Sequence, residues 1–447
     1  MKQIHLILLV LISMAAQAQM PVILAERERA RVVDEILEDR LANLLPQLMR
    51  REGIDLWLVI SREYNEDPVM KTMLPSTWLS ARRRTIMVFF DQGPEKGIEK
   101  LAIARYDVGN LLKGEWNINV QPDQWQALLK VLEDRNPKKI ALNFSKDYGH
   151  ADGLTFTEHK ELMEVLPTSL KSRIVSADRL AVAWLETRTE KERAIYPLIA
   201  RISHEIIQEA FSEKVIQPGV TTTDDVVWWL RQRVTELGLQ TWFHPTVDVQ
   251  RADPQQFEHL RAFSKRPEKQ VIMPGDLLHV DFGITYLRLN TDQQQHAYVL
   301  RPSEAEVPAF IKKAFAQGNR LQDLLTERFK AGQTGNQMLL GALAQANAEG
   351  IVASIYSHPI GVHGHAAGPT IGMWDQQKGV PGPGDYPLYA NTAYSIELNA
   401  AVEIPEWKKM IRIMLEEDGF FDGRGFSYLD GRQTEILTIP RKLSNVR

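Results

Sequence analysis

Four carboxylates and one histidine follow one another along the second half of this chain, and most of them interrupt apolar runs that read as strands. They are Asp281 in LLHVDFGI, Asp292 in LNTDQQQ, His358 in YSHPIG, Glu397 in AYSIELNAAV and Glu435 in QTEILTIP. A carboxylate is rarely buried without a partner, and alone in an apolar interior it gives up its charge. Taken singly, Asp292 reads as a surface residue in a polar run and His358, before Pro359, as a loop histidine. Glu397 and Glu435 are each as readily explained by pairing with a buried arginine or lysine. Taken together, strands that each carry one carboxylate inward point to a shared divalent cation. The set is rich in oxygen, and a chain without cysteine has no thiolate site. It suits two ions of intermediate hardness, manganese first, with cobalt, zinc or iron as alternatives. Such a pair polarises carbonyls and acidifies water, which is the chemistry of hydrolysis.

A length of 447 residues exceeds what one core normally organises. Two domains are expected, over 25–185 and 186–447, behind a signal peptide at 1–18. That leader has Lys2, an apolar stretch from Ile4 to Val10 and beyond, and Ala16-Gln17-Ala18 as a small-x-small cleavage site. Its apolar part is too short for a comfortable membrane span, so the expected product is exported, periplasmic or secreted, and starts near Gln19. A net charge of −4 gives no bulk attraction to nucleic acid or an anionic membrane. Arg82-Arg83-Arg84 reads as a solvated strand end.

The first domain alternates helical and strand-like stretches. A helix is predicted over 26–51, with strands at 55–61, 85–91, 101–106 and 139–145, an α/β layer arrangement. In the second domain, capping boxes at Thr189–Glu192, Thr222–Asp225, Ser303–Glu306 and Thr334–Gln337 open helices. Strands are predicted at 277–286, 393–404, 409–415 and 435–439, and a Gly/Pro-rich surface loop at 379–386. This is an α+β pattern with a largely antiparallel sheet. If the segments around Asp281 and Asp292 form a hairpin, both carboxylates face one site.

The order Asp, Asp, His, Glu, Glu, with GDLLHVDFG ahead of the first and eleven residues from Asp281 to Asp292, resembles the pita-bread metallopeptidases. These include aminopeptidase P, prolidase, methionine aminopeptidase and creatinase. The resemblance spans roughly 185–440, and the upstream unit is similar to the creatinase-type N-terminal domain. It implies that Asp281 holds one metal, that Asp292 and Glu435 bridge two, and that His358 and Glu397 complete the second. It also implies a substrate- or proton-handling role for His365 and a general-base role for Glu397. A family histidine normally precedes the first Asp by about seventeen residues. Ser264 stands there, so His259 is the candidate to serve, with His244 the weaker one. Gln293-Gln294-Gln295 replaces a Thr-Arg-Thr-like segment, and Gln433 stands where an arginine is common. The implied function is removal of the N-terminal residue before proline from short peptides. A prolidase-like dipeptidase and a creatinase-like non-peptidase or binding role are the alternatives. A homodimer is a further implication.

Overall fold

A computed structural model describes residues 20–253 and 269–441. The leader at 1–18, His259 and Ser264 lie outside the described residues. The first half is built on a mixed six-stranded sheet. Its strand Leu56–Arg62 pairs antiparallel with Arg84–Asp91 and parallel with Ile140–Leu142. Trp57 and Val59 enter one apolar cluster with Leu45, Met49 and Trp184. Leu56, Leu58 and Ile60 enter another with Leu128 and Leu162. A strand covered on both faces needs an unbroken apolar run, and LWLVI is one.

The helix expected over 26–51 is present in three pieces. An α-helix Glu26–Asp39 widens into a π turn at Arg40–Leu44 and resumes as Leu45–Glu52, closing on Gly53 at φ 64°. Pro46 has no N–H to offer the preceding turn and its ring crowds that turn, so a loosened segment just ahead of it relieves both problems. The π turn buries Arg40, which donates to Glu192 Oε2 at 2.7 Å and to the Thr187 carbonyl at 2.9 Å. Arg188 donates to Glu192 Oε1 at 2.8 Å. Glu192 also closes the capping box of helix Glu190–Ala210 by accepting from Thr189 N at 2.7 Å. One carboxylate therefore bridges two buried guanidiniums and fastens the first half to the second.

In the second half, helices Glu190–Ala210, Thr223–Glu236, Ala309–Thr326 and Gly335–Ala348 are set against largely antiparallel sheets, as the resemblance implies. The expected capping boxes at Thr222 and Thr334 form. The one at Ser303 does not: that helix starts at Ala309 behind Pro308, which serves as the N-cap. Pro308 fixes an extended entry, and the chain from 303 to 308 stays irregular. The Gly/Pro-rich loop is not a plain surface loop either, because Tyr386 is buried and donates to Glu186 Oε1 at 3.1 Å.

Candidate metal centre

Strand Leu277–Phe282 carries Asp281 and pairs antiparallel with Gln293–Val299, which Asp292 directly precedes. Between them a short hairpin, Thr285–Tyr286 with Leu289–Asn290, returns the chain so that the two carboxylates meet. The turn positions are Leu287 at φ 52° and Arg288 at φ 64°. Left-handed backbone of this kind costs a bulky L-residue roughly 1–2 kcal/mol each.

His358 opens strand His358–Ile360 in a second sheet. The strand expected over 393–404 is broken at Ile396-Glu397 into Thr392–Ser395 and Leu398–Ile404, which belong to different sheets. Glu416 occupies a matching break between Lys409–Leu415 and Asp418–Phe421. Both glutamates thus sit where the chain passes from one sheet to another.

The ligand atoms of Asp281, Asp292 and Glu416 lie within 4.8 Å of one another, as do those of His358, Glu397 and Glu416, and those of Asp292, His358 and His365. His358 Nδ1 lies 3.0 Å from the Pro359 carbonyl, which fixes its proton there. That leaves the bare Nε2 lone pair facing Glu416 Oε1 at 3.5 Å and Asp292 Oδ2 at 3.7 Å. His358 Nε2 and Asp292 Oδ1 are buried without a hydrogen-bond partner. Burial, and then the charges of Glu416, Asp281 and Glu397, hold the Asp292 carboxyl well above the usual range. Acceptors facing acceptors in a buried space need a cation between them, so the residues fit divalent metal.

Glu435 is not part of this cluster. It is exposed, ahead of strand Leu437–Ile439, and lines a separate cavity of about 530 Å³ with Lys312, Asp323 and Arg432. Its apolar flank belongs to the strand that follows, and solvent meets its charge. Glu416 takes the place expected of it. Sequence reasoning missed Glu416 because it opens the run Glu416-Glu417-Asp418, which looks like a solvated turn, yet all three are at most 1% exposed. The available signal was the apolar alternation of 409–415 running straight into it. Glu416→Gln should lower metal affinity by more than the roughly 100-fold that losing a mere supporting partner costs. Glu435→Gln should leave metal content and turnover unchanged; calorimetric metal titration separates the two.

The supporting shell is extensive. Gln294 donates to Glu397 Oε1 at 2.9 Å and to Glu416 Oε2 at 2.7 Å, and its own oxygen lies 2.9 Å from His279 Nε2. Ser395 donates to Glu416 Oε1 at 2.7 Å. The Gln293-Gln294-Gln295 departure therefore puts an amide across two ligands. Gln295 and the backbone N of Gln433 both donate to Glu417 Oε1 at 3.0 Å, and Asp418 accepts from Asp292 N at 3.2 Å.

His204 lies between Glu417 Oε2 at 2.6 Å and Asp430 Oδ2 at 2.8 Å. Burial opposes its charge, but the two carboxylates outweigh burial and raise its pKa to about 10. A raised folded pKa gives stability that is full below the unfolded value near 6.5 and lost as pH climbs through about 10. The unfolding temperature of the metal-free protein should fall across that window, and His204→Gln should flatten the slope.

His365 stacks edge-on against Trp242 at 5.2 Å and His358 at 4.7 Å and opens to a cleft. Burial, then His358, lowers its pKa to about 4. Trp242 is itself tied to the ligand hairpin through its Nε1 donating to the Thr291 carbonyl at 2.9 Å. His244 stays apart, stacked on Trp228 and exposed.

Residues 198–417 match the family model of metallopeptidase family M24. Over these residues the chain carries the sequence pattern of that family. Every cluster residue from Asp281 to Glu416 lies inside the M24 match. No curated protein is matched by sequence. Among solved structures, an X-Pro aminopeptidase from Thermotoga maritima MSB8 aligns with a TM-score of 0.62 at 19% identity, over 88% of this chain and 99% of that one. An Xaa-Pro dipeptidase from Bacillus anthracis gives 0.55 at 16%, over 93% and 100%. A prolidase from Pyrococcus furiosus gives 0.54 at 16%, over 87% and 99%. These likenesses establish the fold along nearly the whole chain, with the pita-bread unit in its second half. The M24 match makes a metal-dependent hydrolase the coarse description of the protein.

Proposed function

We propose that this M24 protein holds two divalent ions, manganese first, and hydrolyses the N-terminal Xaa-Pro bond of short peptides. The observation that carries the reading is the convergence of Asp281, Asp292, His358, Glu397 and Glu416 next to His365, which lines a cleft. Asp292, His358 and Glu416 each occur in two of the groupings, and of these the two carboxylates, with two oxygens apiece, would be the ones to hold both ions. Asp281 lies at one end, and His358 and Glu397 at the other. Bound ions would supply a Lewis acid for the scissile carbonyl and lower the pKa of water. Glu397, steadied by Gln294, would take the proton from the attacking water. His365, at the cleft wall, would hold the substrate by hydrogen bonding in its neutral form. Trp242 and Tyr356 around His365 help keep bulk water from this corner.

Proline selectivity suits a restricted ring with no amide hydrogen, which excludes ordinary peptides from a shaped site. The leader, with Lys2, an apolar stretch and a small-x-small site, supports export, and N-terminal sequencing of the mature chain tests it. The activity is tested by loading the mature chain with manganese, cobalt or zinc and following Xaa-Pro dipeptides, Xaa-Pro-Yaa peptides and proline-free controls by mass spectrometry. Release of one residue from proline peptides alone is the expected result. Cleavage of the controls, or silence with metal bound, would end the Xaa-Pro reading.

A further inference from the structure

The hairpin joining Asp281 to Asp292 has a two-residue turn with both central residues left-handed, a geometry that Asn-Gly adopts without strain. Here the positions hold Leu287 and Arg288, and both line the cleft beside His365. Backbone strain of this kind marks places where the side chains are used. Across the cleft, helix Pro68–Met73 offers Lys71, which is exposed and has no hydrogen-bond or ion-pair partner among the described residues. The two walls are fastened together, because Arg288 Nη1 donates to the Leu74 carbonyl at 2.7 Å.

The fixed charges lining the cleft are Arg40, Lys71 and Arg288 against Glu192 alone. Glu192 is already occupied by Arg40 and Arg188. Asp34, which faces Arg288 from the first helix, has its two oxygens on Ser76. Lys71 and Arg288 are left without a paired carboxylate among the described residues. Burial chiefly lowers the His363 pKa to about 3, and the positive field of His150, Arg188 and Lys71 adds to it. Apolar walls from Val33, Ile36 and Leu37 concentrate that field. The cleft encloses about 790 Å³, within the range of a small-ligand site, and it ends at His365.

We propose that Lys71, backed by Arg288, receives a carboxylate on the far side of the scissile bond, making short peptides with a free carboxylate the substrate class. The proposal rests on the peptidase reading and deepens it. The carboxylate can be the chain terminus or an acidic side chain, and three probes separate these sources: Ala-Pro-Ala as free acid, Ala-Pro-Ala amide and Ala-Pro-Glu amide. Binding to the metal-free mature chain is measured by calorimetry, and kcat and KM on the manganese-loaded protein.

The free acid should bind at least about tenfold tighter than the plain amide, roughly one hydrogen-bonded charge contact, with the difference falling on KM. Lys71→Met should erase the preference and Lys71→Arg should keep it. Leu287→Asn combined with Arg288→Gly should weaken the preference while raising the unfolding temperature, because it removes the strain. Recovery with Ala-Pro-Glu amide assigns a side-chain carboxylate, and no recovery assigns the terminus. Equal binding of acid and amide, no binding of the acid, or a preference that survives Lys71→Met overturns the proposal. A chain that binds the acid selectively yet cleaves nothing overturns the peptidase reading and leaves this subsite standing.

Discussion

Asp292→Asn should all but abolish turnover and make the metal-free protein more stable. Both effects come from one geometry. Asp281, Asp292 and Glu416 bring carboxylate oxygens within 4.8 Å of one another in a buried space, and Asp292 Oδ1 has no hydrogen-bond donor there. Without a cation, like charges at that spacing repel and their desolvation is uncompensated. An amide at position 292 removes one of them, so metal-free Asp292→Asn should melt above metal-free wild type. Metal reverses the order, since a ligand present at 100 times its Kd stabilises the folded state by about 2.7 kcal/mol. Hydrolysis should drop by roughly a thousandfold, the upper scale for losing one preorganised charge-stabilising group. Thermal scans with and without manganese, run beside a peptide assay, test both halves. A metal-free variant that melts below wild type would show that Asp292 is structurally paired after all.

The second large effect is on stability alone. Glu192→Ala leaves Arg40 and Arg188 buried at 4% and 2% exposure without their shared anion. Breaking such a group costs about 3–5 kcal/mol, and losing the capping box adds to it. Glu192→Gln keeps the cap, because glutamine serves at that position, so its smaller cost isolates the charge. Burial works to raise the Glu192 pKa, but Arg188 and Arg40 outweigh it and the carboxyl is lowered from 4.5. A depressed carboxylate contributes stability above the unfolded pKa and loses it as pH falls. Urea unfolding at neutral and acid pH should show the gap between wild type and Glu192→Gln narrowing in acid. A constant gap would mean that lost packing, not charge, is responsible.

The sequence was most informative where a charge broke an apolar period. Asp281 and Glu397 announce themselves that way, and His358 and Asp292 became legible only in company with them. Glu435 gave the same local signal without the same placement, because Ile436 and strand Leu437–Ile439 carry the burial and the carboxylate stands just outside it. Glu416 gave no such signal, since its two acidic neighbours disguise a buried run as a surface turn. Periodicity also overlooked breaks: one apolar stretch over 393–404 serves two sheets, and the residue at the break is the candidate ligand Glu397. The clasp at Glu192 was visible as a cap but not as the anion for two arginines, because Arg40 lies 152 residues away along the chain.

The placement of Glu397 and Glu416 at sheet crossings bears on how the protein matures. Gln294 and Glu416, in contact at the centre, are 122 residues apart in sequence. Contacts of that separation form late, after the entropy of closing the intervening chain has been met. A metal would therefore not be expected to template folding as zinc does in a finger peptide, where the apo chain is unfolded. It would meet a finished cavity. Refolding should proceed in the presence of chelator, and the identity of the resident metal should follow whatever the folded protein meets last.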